Sequence, residues 1–193
     1  MTWAQGAELA LHVATGIGLA SCAGLRAFLP LLAVGLAGRF DFVTLSAAYA
    51  WLESWPALAV FGAAVVAELV GDKFPLVDNL LDTLQTFVKP CAGALLMASV
   101  VADWSPLYLT VVWIIMGGAM AGAVHVTKAK LRLVSTATTA GFGNPAISLT
   151  EDVGALAGTA VSIVAPVIVV VLVVVSLTLT WILLRRRRAL LSR

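Results

Sequence analysis

The sequence predicts an all-α, polytopic membrane protein, and three observations lead to this prediction. Hydrophobic residues make up 61% of the 193 residues and charged residues only 11%, whereas soluble domains carry about 25% charged residues. The mean hydropathy is +1.03. Residues 105–127 and 153–184 contain no charged side chain, and a helical span needs roughly 20 apolar residues. The composition therefore excludes a soluble globule and indicates a single transmembrane domain, 1–193.

The placement of basic residues predicts how the helices cross the bilayer. Basic clusters follow both uncharged runs, at 128–132 and 185–188. Cytoplasmic loops of membrane proteins carry an excess of Lys and Arg, so both clusters are expected on the cytoplasmic side. Counting the apolar runs back from them, we expect the C-terminus and the N-terminus both to be cytoplasmic.

Two basic clusters on the same side require an even number of crossings between them. The run 153–184 supplies one, and residues 133–150 are too rich in Ser, Thr and Gly to face lipid. Non-helical backbone at membrane depth occurs only inside protein or along a cavity, so 133–150 is expected to be a broken, internally facing span. The alternative divides 153–184 at Pro166 into a tight hairpin and leaves 133–150 as a cytoplasmic loop.

The first of these interpretations gives six crossings, arranged as two inverted three-helix repeats. The first repeat is predicted at 1–102, and the second, which carries the basic C-terminal tail, at 103–193. In each repeat the middle element ends in a pair of carboxylates. Inverted repeats of this kind are typical of secondary transporters, whose binding sites lie between the two halves.

The carboxylate pairs are Glu68 with Asp72 and Glu151 with Asp152. Residues four apart share one face of a helix, and ionisable side chains within a span usually face the bundle interior. Two carboxylates can hold a hard cation or share a proton, which makes Glu68, Asp72 and Asp152 candidate metal ligands. The alternatives place Asp72 at the cytoplasmic headgroups and Glu151 in a helix-capping box that begins at Ser148.

Several other polar residues interrupt apolar sequence. Arg26 either extends to the outer surface or neutralises a buried carboxylate, and the cost of a lone buried charge favours pairing. Asn144 and Pro145 predict a helix start, whose free amides would suit an anion or a carboxylate. His12 and His125 are interpreted as helix-packing residues rather than metal ligands.

Residues 76–90 form an amphipathic segment. Asp78, Asp82, Gln85 and Lys89 recur at helical spacing, and apolar residues cover the other face. The segment either lies on the membrane as an interfacial helix or folds its polar stripe into a vestibule beside the first carboxylate pair.

Four stretches then carry a family resemblance. They are Gly24-Leu25-Arg26-Ala27-Phe28-Leu29-Pro30, Glu68 to Asp78, Lys89-Pro90-Cys91-Ala92-Gly93, and Asn144-Pro145 to Glu151-Asp152. Together they resemble a bacterial membrane family called domain of unknown function 4126, over nearly the whole chain. That resemblance implies a protein of the bacterial inner (cytoplasmic) membrane, but it implies no activity.

A second, local resemblance implies an activity. Glu68-Leu69-Val70-Gly71-Asp72-Lys73 is similar to the Glu-x-Gly-Asp-Lys/Arg signature of calcium/manganese–proton exchangers, which also contain inverted three-helix repeats. This chain has one extra residue between Glu68 and Gly71, and its second half has Glu151-Asp152 without Gly-Asp-Lys. The resemblance implies exchange of a cation against a proton.

These features together predict a small secondary transporter or channel, not an enzyme, with a central acidic site that carries or is coupled to protons or metal cations. The predicted site consists of Glu68, Asp72, Glu151, Asp152, Arg26 and Asn144, with Asp78, Asp82 and Lys89 as a secondary polar stripe. Apart from a transported cation, no cofactor is expected. The expected partners are the lipid bilayer, a small ion or small-molecule substrate and a second copy of the chain, without nucleic acid.

Two other functions are compatible with the same sequence. One is a translocator of lipids or lipid-linked carriers, in which Arg26 and the helix start at Asn144 hold a phosphate headgroup. The other is a non-catalytic membrane scaffold.

Overall fold

The computed structural model describes residues 3–71, 75–103, 105–140 and 142–168, with 171, 172, 175 and 178, and all of their side chains except 75–80, 82 and 145. The elements are α1 (Trp3–Leu25), α2 (Phe28–Arg39), a 3₁₀ helix (Ala47–Glu53), α3 (Trp55–Gly71), α4 (Pro75–Val101), α5 (Leu107–Thr139) and α6 (Asn144–Val164). No strand occurs among the described residues, so the predicted all-α class is confirmed.

The described helices are long and apolar enough for a polytopic membrane protein. Four of them qualify as spans, and a fifth qualifies if the 3₁₀ helix and α3, which are bent by 62° from each other, form one span. Asp72 and the arginine cluster 185–188 lie outside the described residues, as do the side chains of Asp78 and Asp82.

Helices α4 and α5 pack through their backbones. A Cβ atom built on Gly93 would lie 2.6 Å from the carbonyl oxygen of Gly117, and one built on Gly117 would lie 2.5 Å from that of Gly93. Small residues allow helices in membranes to approach this closely. The apolar core lies beside this contact, where α1 packs against α4 and α5 through buried side chains that include Leu19, Leu96 and Val100.

Helix α1 runs antiparallel to α4. Gly16 lies against Met97 and Val100 near the end of α4, whereas Gly24 lies against Ala121 and Val124 of α5. Because α5 follows α4 and runs antiparallel to it, Ala121 and Val124 lie level with the middle of α4, away from its end. The start of α1 therefore lies at the end of the bundle where α4 finishes.

The apolar run 9–38, which would be expected to cross the membrane once, forms two helices. Helix α1 ends before Arg26, and α2 returns along α3 so that Gly35 lies against Leu58. The start of α1 and the end of α2 therefore lie at the same end of the bundle, beside the 3₁₀ helix. A single helix of this length would extend about 45 Å, well beyond the roughly 30 Å of a hydrocarbon layer.

The broken span expected at 133–150 does not form a separate element. Residues 133–139 continue α5, and residues 144–150 begin α6. The polar side chains do not end the helix, because Thr138 and Thr139 donate hydrogen bonds to carbonyl oxygens of the preceding turn, at 2.8 and 2.7 Å. The helix ends at Ala140, which is left-handed with φ 51°.

The amphipathic segment 76–90 is the first part of α4 and not a separate interfacial helix. Gln85 and Lys89 are buried, whereas Leu84 and Phe87 are exposed. The described part of the polar stripe therefore faces the protein interior, as the vestibule interpretation predicted.

Candidate functional site: a buried network of ion pairs

Arg26 lies in the break between α1 and α2 and connects this break to two other elements of the bundle, α3 and α6. Its side chain is 1% exposed. Its Nε donates a hydrogen bond to Oδ1 of Asp152 on α6 at 2.6 Å, and Nη2 donates to Oγ of Ser148 at 3.3 Å. Nη1 donates to the backbone carbonyl of Glu68 on α3 at 3.4 Å. Arg26 is thus paired with a carboxylate, but the carboxylate is that of Asp152, whose side chain is 24% exposed.

The side chain of Glu68, which belongs to α3, binds the backbone at the beginning of α2. Its carboxylate oxygens each accept a hydrogen bond of 3.2 Å from a backbone amide, Oε1 from Ala27 and Oε2 from Phe28. The first amides of a helix have no partner within the helix and favour negative charge, so Glu68 caps α2 from a different helix. Gln85 of α4 donates a further hydrogen bond to Oε1 at 3.0 Å. With 2% exposure, this carboxylate is fully enclosed by protein.

Two cations act on the Glu68 carboxylate, namely Lys89 and Arg26. Lys89 is 0% exposed and its Nζ lies 3.2 Å from Nδ1 of His125 on α5. The network thus contains side chains from α3, α4, α5 and α6 and from the break that precedes α2. Such a collection of ionisable groups inside a membrane bundle is expensive and usually serves a function.

A second cluster lies beside the first, between α5 and α6. Oε2 of Glu151 lies 2.9 Å from Nζ of Lys128 and 3.2 Å from Nη2 of Arg132. Lys128 and Glu151 are 4% and 6% exposed. Lys128 and Arg132, two of the basic residues taken as cytoplasmic markers, therefore point into the bundle. The other carboxylate oxygen, Oε1, is buried without a hydrogen-bond partner among the described residues.

The depth of the network follows from helix geometry. Lys89 precedes the end of α4 at Val101 by twelve residues, or roughly 18 Å along the helix. Lys89 thus lies within the candidate span Thr83–Val101, whose length is on the scale of a hydrocarbon layer roughly 30 Å thick. Asp152, whose side chain is 24% exposed, is the most accessible member of the Arg26 ion pair.

The structure brings together most of the predicted site residues. Glu68 and Asp152 both contact Arg26, from different halves of the chain, whereas the neighbouring Glu151 faces Lys128 and Arg132. Lys89 joins the Glu68 side of the network.

Helix α6 begins at Asn144 with Pro145 in its first turn, so the predicted helix start is confirmed, but the surroundings of Asn144 and the alternative of a capping box at Ser148 differ from the sequence interpretation. The residue before the helix is Gly143, and the amide of Asn144 donates to Oγ1 of Thr136 at 3.1 Å, so Asn144 lies in a different contact from Arg26. Ser148 and Glu151 lie within α6, and neither forms the expected capping box. Their side chains instead contact Arg26 and the cations of α5.

Five members of the site were not among the predicted site residues, namely Gln85, Ser148, His125, Lys128 and Arg132. Two signals in the sequence point to them. Gln85 shares the polar stripe with Lys89, and His125 precedes Lys128 by three residues, which places both on one face of α5.

In the described site, N–H groups of the protein bind the carboxylates of Glu68 and Asp152. Hard divalent cations take six or more oxygen ligands, whereas N–H donors bind the Glu68 and Asp152 carboxylates. Among the described residues no group of three or more His, Cys, Asp and Glu is placed to hold a metal ion. Asp72, the third candidate metal ligand, lies outside them.

The fold and the buried ion pairs define an α-helical membrane protein with a charged interior. Residues 13–186 match the family described as a domain of unknown function, DUF4126, and the chain belongs to that family. The family resemblance seen in the sequence is thus confirmed, whereas the resemblance to cation–proton exchangers is not shown by this match. No curated protein and no solved structure matches the chain.

Proposed function

We propose that the protein is a small secondary transporter or channel in which Glu68 exchanges a proton during transport. The observation that supports this proposal is the position of Glu68, a carboxylate enclosed at 2% exposure between two helix amides and two buried cations. A change in its protonation alters the hydrogen bonds that hold the beginning of α2 to α3. Protonation of Glu68 can thus move the break between α1 and α2.

Arg26 provides the link from this carboxylate to the other half of the chain. It binds the backbone of Glu68 and the side chain of Asp152 at the same time. Movement at the start of α2 therefore acts directly on the ion pair with α6. Asp152 is partly accessible, which makes this ion pair a suitable gate between the network and the membrane surface.

The alternative of a lipid translocator has less support. Arg26 is engaged by a carboxylate, a hydroxyl and a backbone carbonyl, so a phosphate headgroup would have to displace them. Asn144, the other residue expected to hold that headgroup, contacts Thr136 instead. A scaffold has no need of a buried carboxylate, and it is tested by the same variants.

The proposal is tested by proton flux into liposomes that contain the purified protein and an internal pH-sensitive dye. With an imposed pH gradient, Glu68→Gln and Asp152→Asn are expected to reduce the flux by about tenfold or more, the range that removal of a proton-transferring group produces. Asp41→Asn is the matched control, because Asp41 is exposed and left-handed with φ 60°, a conformation that Asn tolerates. Flux unchanged in both site variants would contradict the proposal and favour a scaffold.

We also propose an orientation in which the N-terminus lies outside. The basic cluster 128–132, whose Lys130 is exposed, marks the cytoplasmic end of α5 by the positive-inside rule, and α1 begins at the opposite end of the bundle, beside the 3₁₀ helix. This replaces the expected cytoplasmic N-terminus, while the cytoplasmic C-terminus and the bacterial inner membrane stay as predicted.

The inverted repeats are proposed with a different boundary. In this orientation α1 and α3 run towards the cytoplasm and α2 runs outwards, whereas α4 and α6 run outwards and α5 runs towards the cytoplasm. The two triplets of helices are thus opposite in direction. This order supports an inverted pair of halves that divides near residues 72–74 and not at 102. An outside N-terminus and a cytoplasmic C-terminus require an odd number of crossings, so this proposal replaces the predicted six; residues beyond 168 contribute to the count.

A further inference from the structure

Three side chains form a connected series that leads from the buried network to the exposed surface of α4. Nζ of Lys89 lies 3.2 Å from Nδ1 of His125, and Nε2 of His125 lies 3.3 Å from Oγ1 of Thr86. Lys89 is 0% exposed and His125 is 7% exposed, whereas Thr86 is exposed. The series therefore begins beside Glu68 and ends where solvent or lipid headgroups can reach it.

The donors and acceptors in this series determine its protonation. A lysine ammonium has three donors and no acceptor, so Nδ1 of His125 must be the acceptor when Lys89 is charged. The ring proton then resides on Nε2, which donates to Thr86. His125 is accordingly neutral while Lys89 is charged. The pair therefore holds a single positive charge, which either Lys89 or His125 can carry across their shared hydrogen bond.

The charges around the pair single out Glu68 as its partner. On α3, Glu68 accepts a hydrogen bond of 3.0 Å from Gln85, which lies one turn before Lys89 on α4, and Lys89 acts electrostatically on the same carboxylate. On α5, Lys128 is bound by Glu151 of α6, and Arg26 before α2 is bound by Asp152 of α6. Of the described carboxylates near the pair, Glu68 is thus the one whose protonation removes the negative charge that stabilises the ammonium of Lys89.

We infer that Lys89, His125 and Thr86 form a proton-transfer chain that serves Glu68. When Glu68 takes up a proton, Lys89 loses one: the Nζ–H bond breaks, an Nδ1–H bond forms on His125, and Lys89 becomes a neutral amine. The imidazolium then gives its Nε2 proton to Oγ1 of Thr86, whose own hydroxyl proton passes to a water molecule. The chain resets when protons return in the reverse order.

This inference rests on the proposed function, but its first test does not depend on transport. The polypeptide contains two histidines, His12 and His125. The tautomer of His125 can therefore be measured by ¹⁵N-histidine NMR of the protein in detergent micelles, with His12→Gln to assign the signals. The expected result at neutral pH is a ring protonated at Nε2 only, which shifts to a mixture of tautomers in Lys89→Met. A ring that carries its proton on Nδ1, or on both nitrogens, would overturn the inference.

The second test uses the liposome flux assay with variants that preserve charge or hydrogen bonding. Lys89→Arg keeps the positive charge and the donors, but arginine is not deprotonated in proteins. His125→Asn keeps one hydrogen-bonding group near Nδ1 but cannot pass a proton between two ring nitrogens. Both are expected to lower proton flux by about tenfold or more, whereas His12→Gln leaves it unchanged.

The outcomes separate the two proposals. If Glu68→Gln abolishes flux while Lys89→Arg and His125→Asn retain it, the proton-transfer chain is refuted and the transporter proposal stands. If none of the three changes the flux, the transporter proposal itself fails. Size-exclusion chromatography and circular dichroism establish that each variant is folded before its flux is compared.

Discussion

At the scale of single residues, Arg26 has the largest number of structural roles in the network. It lies between two helices that reverse direction, and it binds α3 and α6 through a single guanidinium group. Arginine suits this position because its planar group presents several donors in fixed directions and stays charged when buried. Lysine would keep the charge but not the three simultaneous hydrogen bonds.

Replacing Arg26 should therefore destabilise the folded protein strongly. Removing one partner of a buried ion pair costs on the order of 3–5 kcal/mol, because the other charge remains unpaired. We expect Arg26→Gln to lower the thermal unfolding temperature in detergent, and Arg26→Gln/Asp152→Asn to recover part of the loss, since the double variant leaves no lone carboxylate. The measurement is a double-mutant cycle from thermal unfolding curves.

Arg39→Gln is the matched control for this experiment. Arg39 is an exposed arginine whose guanidinium lies 4.2 Å from the ring centre of Trp55 and donates to the carbonyl of Glu53. Exposed interactions of this kind contribute about 1 kcal/mol or less. Equal losses of stability from Arg26→Gln and Arg39→Gln would show that Arg26 is not the connecting residue of the bundle.

The sequence was sufficient to predict that Arg26 is paired, but not with which carboxylate. The physical cost of a lone buried charge is a property of the residue and its apolar neighbours, and both are visible in the sequence. The choice between Asp152 and Glu151 depends on the rotation of α6 against α1 and α5, which turns Asp152 towards Arg26 and Glu151 towards Lys128. That rotation is set by packing across the whole bundle.

At the scale of helices, the contact between α4 and α5 fixes the position of Lys89 relative to His125. Gly93 lies one turn after Lys89 on α4, and it meets Gly117 and Ala121 of α5 with no space for a larger side chain. The close backbone approach places the two buried side chains within hydrogen-bond distance. The glycine pair is therefore a structural requirement of the network.

A side chain at Gly93 should separate the two helices. A Cβ atom there would lie 2.6 Å from both the carbonyl oxygen of Gly117 and Cβ of Ala121, and neither backbone nor Cβ can move aside cheaply. Overpacking of this kind costs on the order of 1–3 kcal/mol, so we expect Gly93→Val to lower the unfolding temperature in detergent. Gly62→Val on α3 is the control, since a Cβ atom at Gly62 meets nothing within 4 Å; similar losses in both variants would contradict the argument.

Element boundaries were harder to predict than element type. The run 9–38 exceeds the length of one span, and that excess was a usable signal for the reversal at Arg26. Residues 133–139 gave the opposite difficulty, because Thr138 and Thr139 look unsuited to a helix until their hydroxyl groups bond to the preceding turn. Composition indicates polarity, whereas local hydrogen bonding decides whether a helix continues.

At the scale of the whole molecule, apolar packing and buried charge occupy different parts of the bundle. The core of Leu19, Leu96 and Val100 lies towards the end of α4, and the ion pairs lie towards its beginning. The α1–α2 pair reaches from the first end to the second, with Arg26 at its tip. This arrangement places Arg26 at the charged end of the bundle, away from the apolar core.

The direction of α1 yields the last prediction, which concerns which residues share a side of the membrane. After replacement of Cys22 and Cys91 by serine, single cysteines at the exposed positions Ala4, Ala48 and Lys130 can be labelled in intact cells and in inverted vesicles with a membrane-impermeant maleimide. Ala4→Cys and Ala48→Cys should react from the same side, because α1 begins beside the 3₁₀ helix, and Lys130→Cys should react from the opposite side. Labelling of Ala4→Cys together with Lys130→Cys would instead require α1 to run parallel to α4, and the Arg26 network could not then form as described.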